Sequence, residues 1–364
     1  MLDRIQLANF RNHRDTMLSG TARFNLLVGE NGAGKTNVLE AISLLSPGRG
    51  LRHAGLPEMA SQSGPGGFAI SADLAEGGNA LRLGTGTIAD RPSRRIVQIN
   101  QADAPALRLA EWLSIGWLTP AMDRLFAEGA GARRRFLDRM VMALAPDHAR
   151  NATRLESALR ERNRLLSVPT EPDPTWLDAI EAQIGEAGAM VAQARLMMTR
   201  RLDRTLAELP ESPFARPSLE YVPGGPVVQA ELARALRDGR SRDRSAQRTL
   251  TGPHRDELAV TMSGPNNSKR TQPAAVCSTG EQKAMLIAIT LAHASLLSAE
   301  RPRLLLLDEV AAHLDPVRRD ALFDRLRLGA AQVWLTGTEL APFEGIAAEA
   351  AVWRVNAGSV ERVG

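Results

Sequence analysis

The first hundred or so residues alternate between apolar and polar positions. In "RIQL", Ile5 and Leu7 fall on one side, and "FAISADL", "LRLGTGTI" and "RIVQIN" repeat the period of two. Such runs, punctuated by Gly and Pro, predict half-buried strands. One early stretch departs from this pattern. Phe24–Val28 is mostly apolar and reads as a fully buried strand, and Val38, Leu39, Ile42 and Leu45 then mark one face of a helix.

The period changes near Thr119-Pro120. From Arg133 onward, Phe136, Leu137, Met140, Val141 and Leu144 share a helical face, and Leu155, Leu159 and Leu166 continue it. Pro169, Pro172 and Pro174 in "SVPTEPDP" must break the helix. A second stripe follows: Leu177, Ile180, Ile184, Val191, Met198, Leu202, Leu206 and Leu209. Two helical runs joined by a proline turn predict an antiparallel hairpin whose stripes form core. "ESPFARPSLEYVPGGP" closes it, a helix with "ELARALRDG" comes next, and strands resume near Leu250. The expected organisation is an α/β domain in two parts, residues 1–120 and 246–364, with a helical unit 121–245 inserted between them. No internal repeat or low-complexity tract interrupts the chain.

Composition narrows the class. A chain of 364 residues fits two or three structural units, and 44% hydrophobic residues supply a core. Cys277 is the single cysteine, which excludes a disulfide framework or cysteine metal cluster and suits a reducing cytoplasm. "MLDRIQLANF" lacks a signal-peptide pattern, and no apolar run reaches the roughly 18 residues of a membrane span. Net charge is +4, from 45 Lys+Arg against 41 Asp+Glu, and the only lysines are Lys35, Lys269 and Lys283. The arginines cluster: Arg133 to Arg135; Arg150, Arg154, Arg160, Arg162 and Arg164; Arg237, Arg240, Arg242, Arg244 and Arg248. Clustering bears on nucleic acid more than net charge does. Interleaved acids such as Glu156, Glu161 and Asp243 make a solvated helical face the default reading of each cluster.

The chemistry begins with "GENGAGKT" between the buried strand and its helix. It fits G-x-x-x-x-G-K-[ST], a loop that wraps nucleotide phosphates. Its residues are Gly29, Glu30, Asn31, Gly32, Ala33, Gly34, Lys35 and Thr36. The glycines let backbone N–H groups approach the phosphates, Lys35 supplies charge, and the Thr36 hydroxyl is the expected Mg²⁺ ligand. The following helix adds its positive N-terminus. The distant half of the site is "RLLLLDEV", an apolar strand ending in Asp308 and Glu309. This strand is expected beside the loop strand, with Asp308 reaching Mg²⁺ through water and Glu309 orienting or deprotonating the attacking water.

Upstream stands "STGEQKAMLIAITLAHASLL", a helix with Leu286, Ile289 and Leu296 on its apolar face. Ser278, Gly280 and Gln282 open it. By itself "STGEQ" is a capped helix start, Ser278 capping with Glu281 at N3. It also resembles the ABC-type ATPase signature and lies about 30 residues before the acids, as that superfamily requires. "AAHLDP" after the acids resembles the D-loop, with Asp315 in its acidic position.

The ordered set "NFRN", "GENGAGKTNVLEAI", "RRRFLD", "GPHRDEL", "STGEQK" and "LLLDEV" spans nearly the whole chain. On those stretches the sequence resembles the RecF family, bacterial recombination-mediator ATPases with an ABC/SMC-type P-loop head. The resemblance implies an α/β head, a mixed sheet with flanking helices and an antiparallel β lobe, carrying an inserted helical hairpin domain. It implies ATP and Mg²⁺ as cofactors, an ATP-dependent homodimer, and binding to duplex or junction DNA. RecR, RecO and RecA are the implied partners, in the cytoplasm at the nucleoid. By motif match Lys35, Thr36, Asp308 and Glu309 take the loop and acid-strand roles, with Lys35, Asp308 and Glu309 catalytic and Thr36 and Asp308 holding the metal. Ser278, Gly280 and Gln282 take the signature role, facing the other subunit's ATP.

One departure bears on rate. Many ABC ATPases place a histidine after the strand following the acids, where "QVWLTGTEL" offers Thr336 and Thr338. Threonine carries no positive charge, so slow, switch-like hydrolysis is expected. His313 and His254 are the nearby-motif histidines, the latter structural or DNA-facing; no glutamine loop is assigned, and "LTPAMDR" is the segment expected in its place. Two rival readings are a transporter's ATPase subunit and a nucleotide-binding scaffold that barely hydrolyses. The proline-turned hairpin and "GPHRD" speak against the first, and Glu309 against the second.

Overall fold

Strands that alternate and strands that do not end up in different sheets. The computed structural model describes residues 1–76, 79–170, 172–210, 212–214, 216–263, 271–297 and 301–363. Lys269 and the side chain of His313 lie outside the description. The alternating runs build an antiparallel sheet in the order His13–Ser19, Leu2–Phe10, Gly67–Glu76, Asn79–Ile88, Arg91–Ile99, Ala102–Asp103. In it Leu2, Ile5 and Leu7 face the core. The near-continuous apolar runs build the second sheet, whose inner strands are covered on both faces, with the exposed Ser359–Arg362 at one edge. Its order is Ser359–Arg362, Ala350–Asn356, Phe24–Val28, Gln332–Gly337, Arg303–Leu307, Ser114–Leu118, parallel except for the first strand. One apolar cluster joins the sheets: Ile5, Leu7, Leu27, Val38, Ile42, Leu306 and Trp334 belong to it.

This order corrects one expectation. The acid strand Arg303–Leu307 is not beside the loop strand, because Gln332–Gly337 pairs with both. Strand order is set by long-range pairing, which an apolar run cannot encode by itself.

The helical expectation holds in its main lines. Helices run over Ala130–Leu144, Asp147–Ser167 and Pro174–Glu208. The first of the three prolines follows the end at Ser167, and the last, Pro174, starts the 35-residue helix at a position that needs no N–H. Asp173 caps that helix, accepting from Thr175 N at 2.8 Å. Leu155, Leu159 and Leu166 meet Leu177, Ile180 and Ile184 in a separate cluster, joined by Leu232 and Leu236 of the helix Gln229–Asp238.

Two features of this region differ from the sequence reading. Pro217–Val222, inside the segment expected only to close the hairpin, is a strand paired antiparallel with Glu257–Ser263. Leu219 and Tyr221 alternate with polar residues there, a signal too short to stand out among helices. Arg162, expected on a solvated face, is fully buried. It donates to Glu181 at 3.0 Å, Asp243 at 2.7 Å, Thr249 at 2.9 Å and the Leu236 carbonyl at 2.8 Å. Its neighbours Arg150, Arg154, Arg160 and Arg164 are exposed as expected.

The chain divides into two units, residues 1–123, 212–214 and 290–364 in one, and 124–211 with 215–289 in the other. The first cut falls between Asp123 and Arg124. The later one falls within the helix Thr279–Leu296, so residues 246–289 group with the helices.

"RRRFLD" and "GPHRDEL" come together inside the second unit. Arg195 of the long helix grips Asp138 with Nε and Nη2, both at 2.8 Å, and Asp256 with Nη1 at 2.8 Å. Asp256 also accepts from the Tyr221 hydroxyl at 2.5 Å and Gly224 N at 2.8 Å. Arg133 forks onto Glu257 with two bonds of 2.7 Å. His254 is tied to the Thr249 carbonyl at 2.8 Å. These motifs cross-link helices to strands.

Candidate nucleotide site

The phosphate loop leaves the end of Phe24–Val28 and enters the helix Lys35–Ser43. Gly34 precedes that helix at φ 116°, a left-handed backbone that favours glycine. Gly29 is required for a different reason: a Cβ there would sit 2.1 Å from the Val355 carbonyl oxygen. Glu30, Asn31 and Gly32 are exposed, whereas Ala33, Gly34 and Lys35 are buried. Lys35 Nζ donates to the carbonyls of Gly29 at 2.6 Å and Glu30 at 2.8 Å. Burial lowers its pKa, and the charges of Glu309 and Asp308 pull it back up.

The acid pair reaches the loop from across the intervening strand. Thr36 Oγ1 donates to the Asp308 carboxylate, 2.9 Å from Oδ1 and 3.1 Å from Oδ2. Asp308 is only 5% exposed, and burial raises its pKa against the hydrogen bonds of Thr336 and Thr36. The Asp308 amide donates to the Leu118 carbonyl at 2.9 Å. Glu309 follows at φ 54°, left-handed for a residue with a side chain, and its amide donates to Thr336 Oγ1 at 2.8 Å.

Sequence reasoning missed the supports of this loop. Asn12 Nδ2 donates to the Ala33 carbonyl at 3.0 Å, and Asn12 Oδ1 accepts from Asn37 at 2.7 Å. His13 is fully buried, with Nε2 3.1 Å from the Gly34 carbonyl and Nδ1 2.9 Å from that of Gly358. Burial lowers its pKa, opposed by those two carbonyls. Arg11 and Arg52 converge on Glu40, buried in the helix after the loop. "NFRN" was the available signal, since Arg11 and Asn12 belong to it.

Ser278, Gly280 and Gln282 lie in the second unit, so the expected site residues are divided between the units. Ser278 and Glu281 form a reciprocal cap: Ser278 N meets Glu281 Oε2 at 2.8 Å, and Glu281 N meets Ser278 Oγ at 3.3 Å. Gly280 is exposed, with open space where a Cβ would stand. Gln282 turns inward and donates to the Cys277 carbonyl at 2.9 Å. Asp315 caps the helix Pro316–Leu328, accepting from Arg318 N at 3.0 Å.

The donor set suits a nucleotide with Mg²⁺. Thr36 and Asp308 offer hard oxygen ligands, and Mg²⁺ needs only one or two such groups besides phosphate and water. Among the described residues no cluster of three or more His, Cys, Asp or Glu gathers for a softer metal. No described helix is long and apolar enough to cross a membrane.

Residues 1–355 match the family described as RecF/RecN/SMC N terminal domain. A "DNA replication and repair protein RecF" of Brucella abortus (strain 2308) is 45% identical, with 98% of this chain and 95% of that protein covered. The protein of the same description from Mesorhizobium japonicum is 43% identical, covering 99% and 97%. The fold is similar to a solved structure of "the recombination mediator protein RecF-ATPrS in RecFOR pathway", at TM-score 0.86, 20% identity and 100% and 98% coverage. An Smc head bound to the C-terminal winged-helix domain of ScpA aligns at TM-score 0.57 and 14% identity, covering 100% and 96%.

Proposed function

The chain belongs to the RecF family, and from that membership we propose that it is an ATP-dependent DNA-binding protein of DNA replication and recombinational repair, working as a slow ATPase switch. The observation that carries the chemistry is the Thr36–Asp308 pair, which joins loop and acid strand at 2.9 Å across 272 residues of sequence. The glycine loop and Lys35 hold the triphosphate of ATP. Thr36 and Asp308 hold Mg²⁺, and the bound nucleotide supplies the electrophilic γ-phosphorus. Glu309 orients or deprotonates the attacking water. Thr336 and Thr338, offered where many ABC ATPases have a histidine, bring no positive charge, which keeps turnover slow.

Two copies pair on ATP, each phosphate loop facing the partner's Ser278, Gly280 and Gln282. A two-fold pair makes two equivalent sites. The γ-phosphate is the contact that ADP lacks, and so it biases the pairing equilibrium. The pair binds duplex or junction DNA through arginine–phosphate contacts. With aromatics at 4% of the chain, stacking on single-stranded bases contributes little. RecR, RecO and RecA are its working partners, in the cytoplasm at the nucleoid.

Sedimentation of wild type and Ser278→Arg with ATP and with ADP tests the pairing. Wild type should dimerise with ATP only, and Ser278→Arg should bind ATP yet stay monomeric. Equal dimerisation of both proteins would overturn the shared site. Affinity for duplex DNA that does not change with salt would overturn the backbone-binding reading.

A further inference from the structure

The strand Gln332–Gly337 lies between the loop strand and the acid strand, with Leu335 level with both Leu26 and Leu307. The next residue, Thr336, is therefore level with the first acid, and it is 1% exposed. A hydroxyl buried this deeply needs partners. Among the described residues it has two, and they belong to consecutive residues. Thr336 Oγ1 donates to Asp308 Oδ1 at 2.8 Å and accepts from the Glu309 amide at 2.8 Å. That amide is available because Glu309 turns left-handed, at φ 54°, as the chain leaves the strand. The following residue reaches the other half of the site: the Gly337 carbonyl accepts from Gly29 N at 3.2 Å. A Cβ on Gly337 would lie 2.4 Å from the Phe343 ring, so this position stays glycine.

We propose that Thr336 is the positioning residue of the acid pair, its one hydroxyl fixing the Asp308 carboxylate and the left-handed Glu309 backbone together. The proposal rests on the ATPase reading above. A hydroxyl donates and accepts at one atom, and that double role joins a carboxylate to the amide of the next residue. Held this way, Asp308 and Glu309 keep a fixed separation and a fixed aim, and a small misplacement of such groups is costly to rate. Valine matches the shape of threonine and can make neither bond, whereas serine can make both.

Thr336→Val and Thr336→Ser test this, with Glu309→Gln as control. Thr336→Val should lower kcat about 10- to 100-fold while KM for ATP stays within about threefold, because the loop still grips the nucleotide. Thr336→Ser should recover most of the loss. Hydrogen exchange in the nucleotide-free protein gives a readout apart from turnover. The peptide over 306–312 should exchange faster in Thr336→Val and return to wild-type protection in Thr336→Ser. Wild-type kcat in Thr336→Val, or unchanged exchange at 306–312, overturns the proposal. So does a loss that serine fails to rescue, which would mark a packing role. Absence of turnover in wild type, or turnover unaffected by Glu309→Gln, would instead overturn the ATPase reading, and the exchange measurement would still judge Thr336.

Discussion

Two buried knots of acidic and basic side chains end in opposite conditions. In the helical unit, Asp138 and Asp256 have every carboxylate oxygen matched to a donor from Arg195, His148, Tyr221 or Gly224. Burial would push the Asp138 carboxyl up, but the hydrogen bonds of His148 and Arg195 hold it down to about 2. In the nucleotide site, Asp308 has hydroxyl partners, Thr36 and Thr336, and its pKa is raised by burial. Lys35 donates there to main-chain carbonyls and is itself lowered by burial. Charge neutralised inside the fold holds the fold. Charge left to hydroxyls and carbonyls is available to a ligand, which is why perturbed groups of this kind gather at functional sites.

The largest expected effect lies in the nucleotide site. Glu309→Gln should keep ATP binding and thermal stability but lose about 10²- to 10⁴-fold in hydrolysis, the usual cost of removing a general base. Turnover near wild type in a phosphate-release assay would remove Glu309 from that role. Arg195→Met probes the other knot. It takes the shared guanidinium from Asp138 and Asp256, which keep only His148, Tyr221 and the Gly224 amide, and breaking a buried ion pair costs about 3–5 kcal/mol. Urea unfolding of the helical unit should show that loss, and a cost below about 1 kcal/mol would place Arg195 with ordinary surface pairs.

Acid should separate the two knots by sign. The folded pKa of Asp138 is depressed, so its stabilisation is present above the ordinary value of 3.8 and is lost as pH falls toward about 2. The shift corresponds to roughly 2 kcal/mol. Asp308 is raised, so its contribution favours the folded state at low pH and is lost as pH climbs from the ordinary value of 3.8 through the raised folded one. Unfolding curves from pH 2 to 6 should flatten at the acid end in Asp138→Asn and not in Asp308→Asn. The smallest effect belongs to Ser278→Ala, which removes a helix cap and should cost about 1 kcal/mol in thermal unfolding. No change in melting temperature would mean that the Ser278–Glu281 cap adds nothing to the helix.

The same contrast separates what could be read from the chain alone. The phosphate loop was legible because its grip is local: eight consecutive residues carry the turn, the lysine and the hydroxyl. The acid strand was legible as an apolar run with a polar end. The long helices were legible because a period of 3.6 repeated over many residues outweighs local noise. Pro217–Val222 was not, since a six-residue alternation among helices gains its meaning only from pairing with Glu257–Ser263.

The sequence by itself determined the family motifs, the strand and helix character of most segments, and the identity of the residues at the loop and the acids. Tertiary structure alone decided which strand stands between them, which arginine of a row is buried, and where each carboxylate finds its donors. Arg162 meets Asp243 across 81 residues, and Asp308 meets Thr36 across 272 and Thr336 across 28. Periodicity and motif spacing act over neighbouring residues of the chain. A hydrogen bond acts over about 3 Å of space, wherever along the chain its two ends come from.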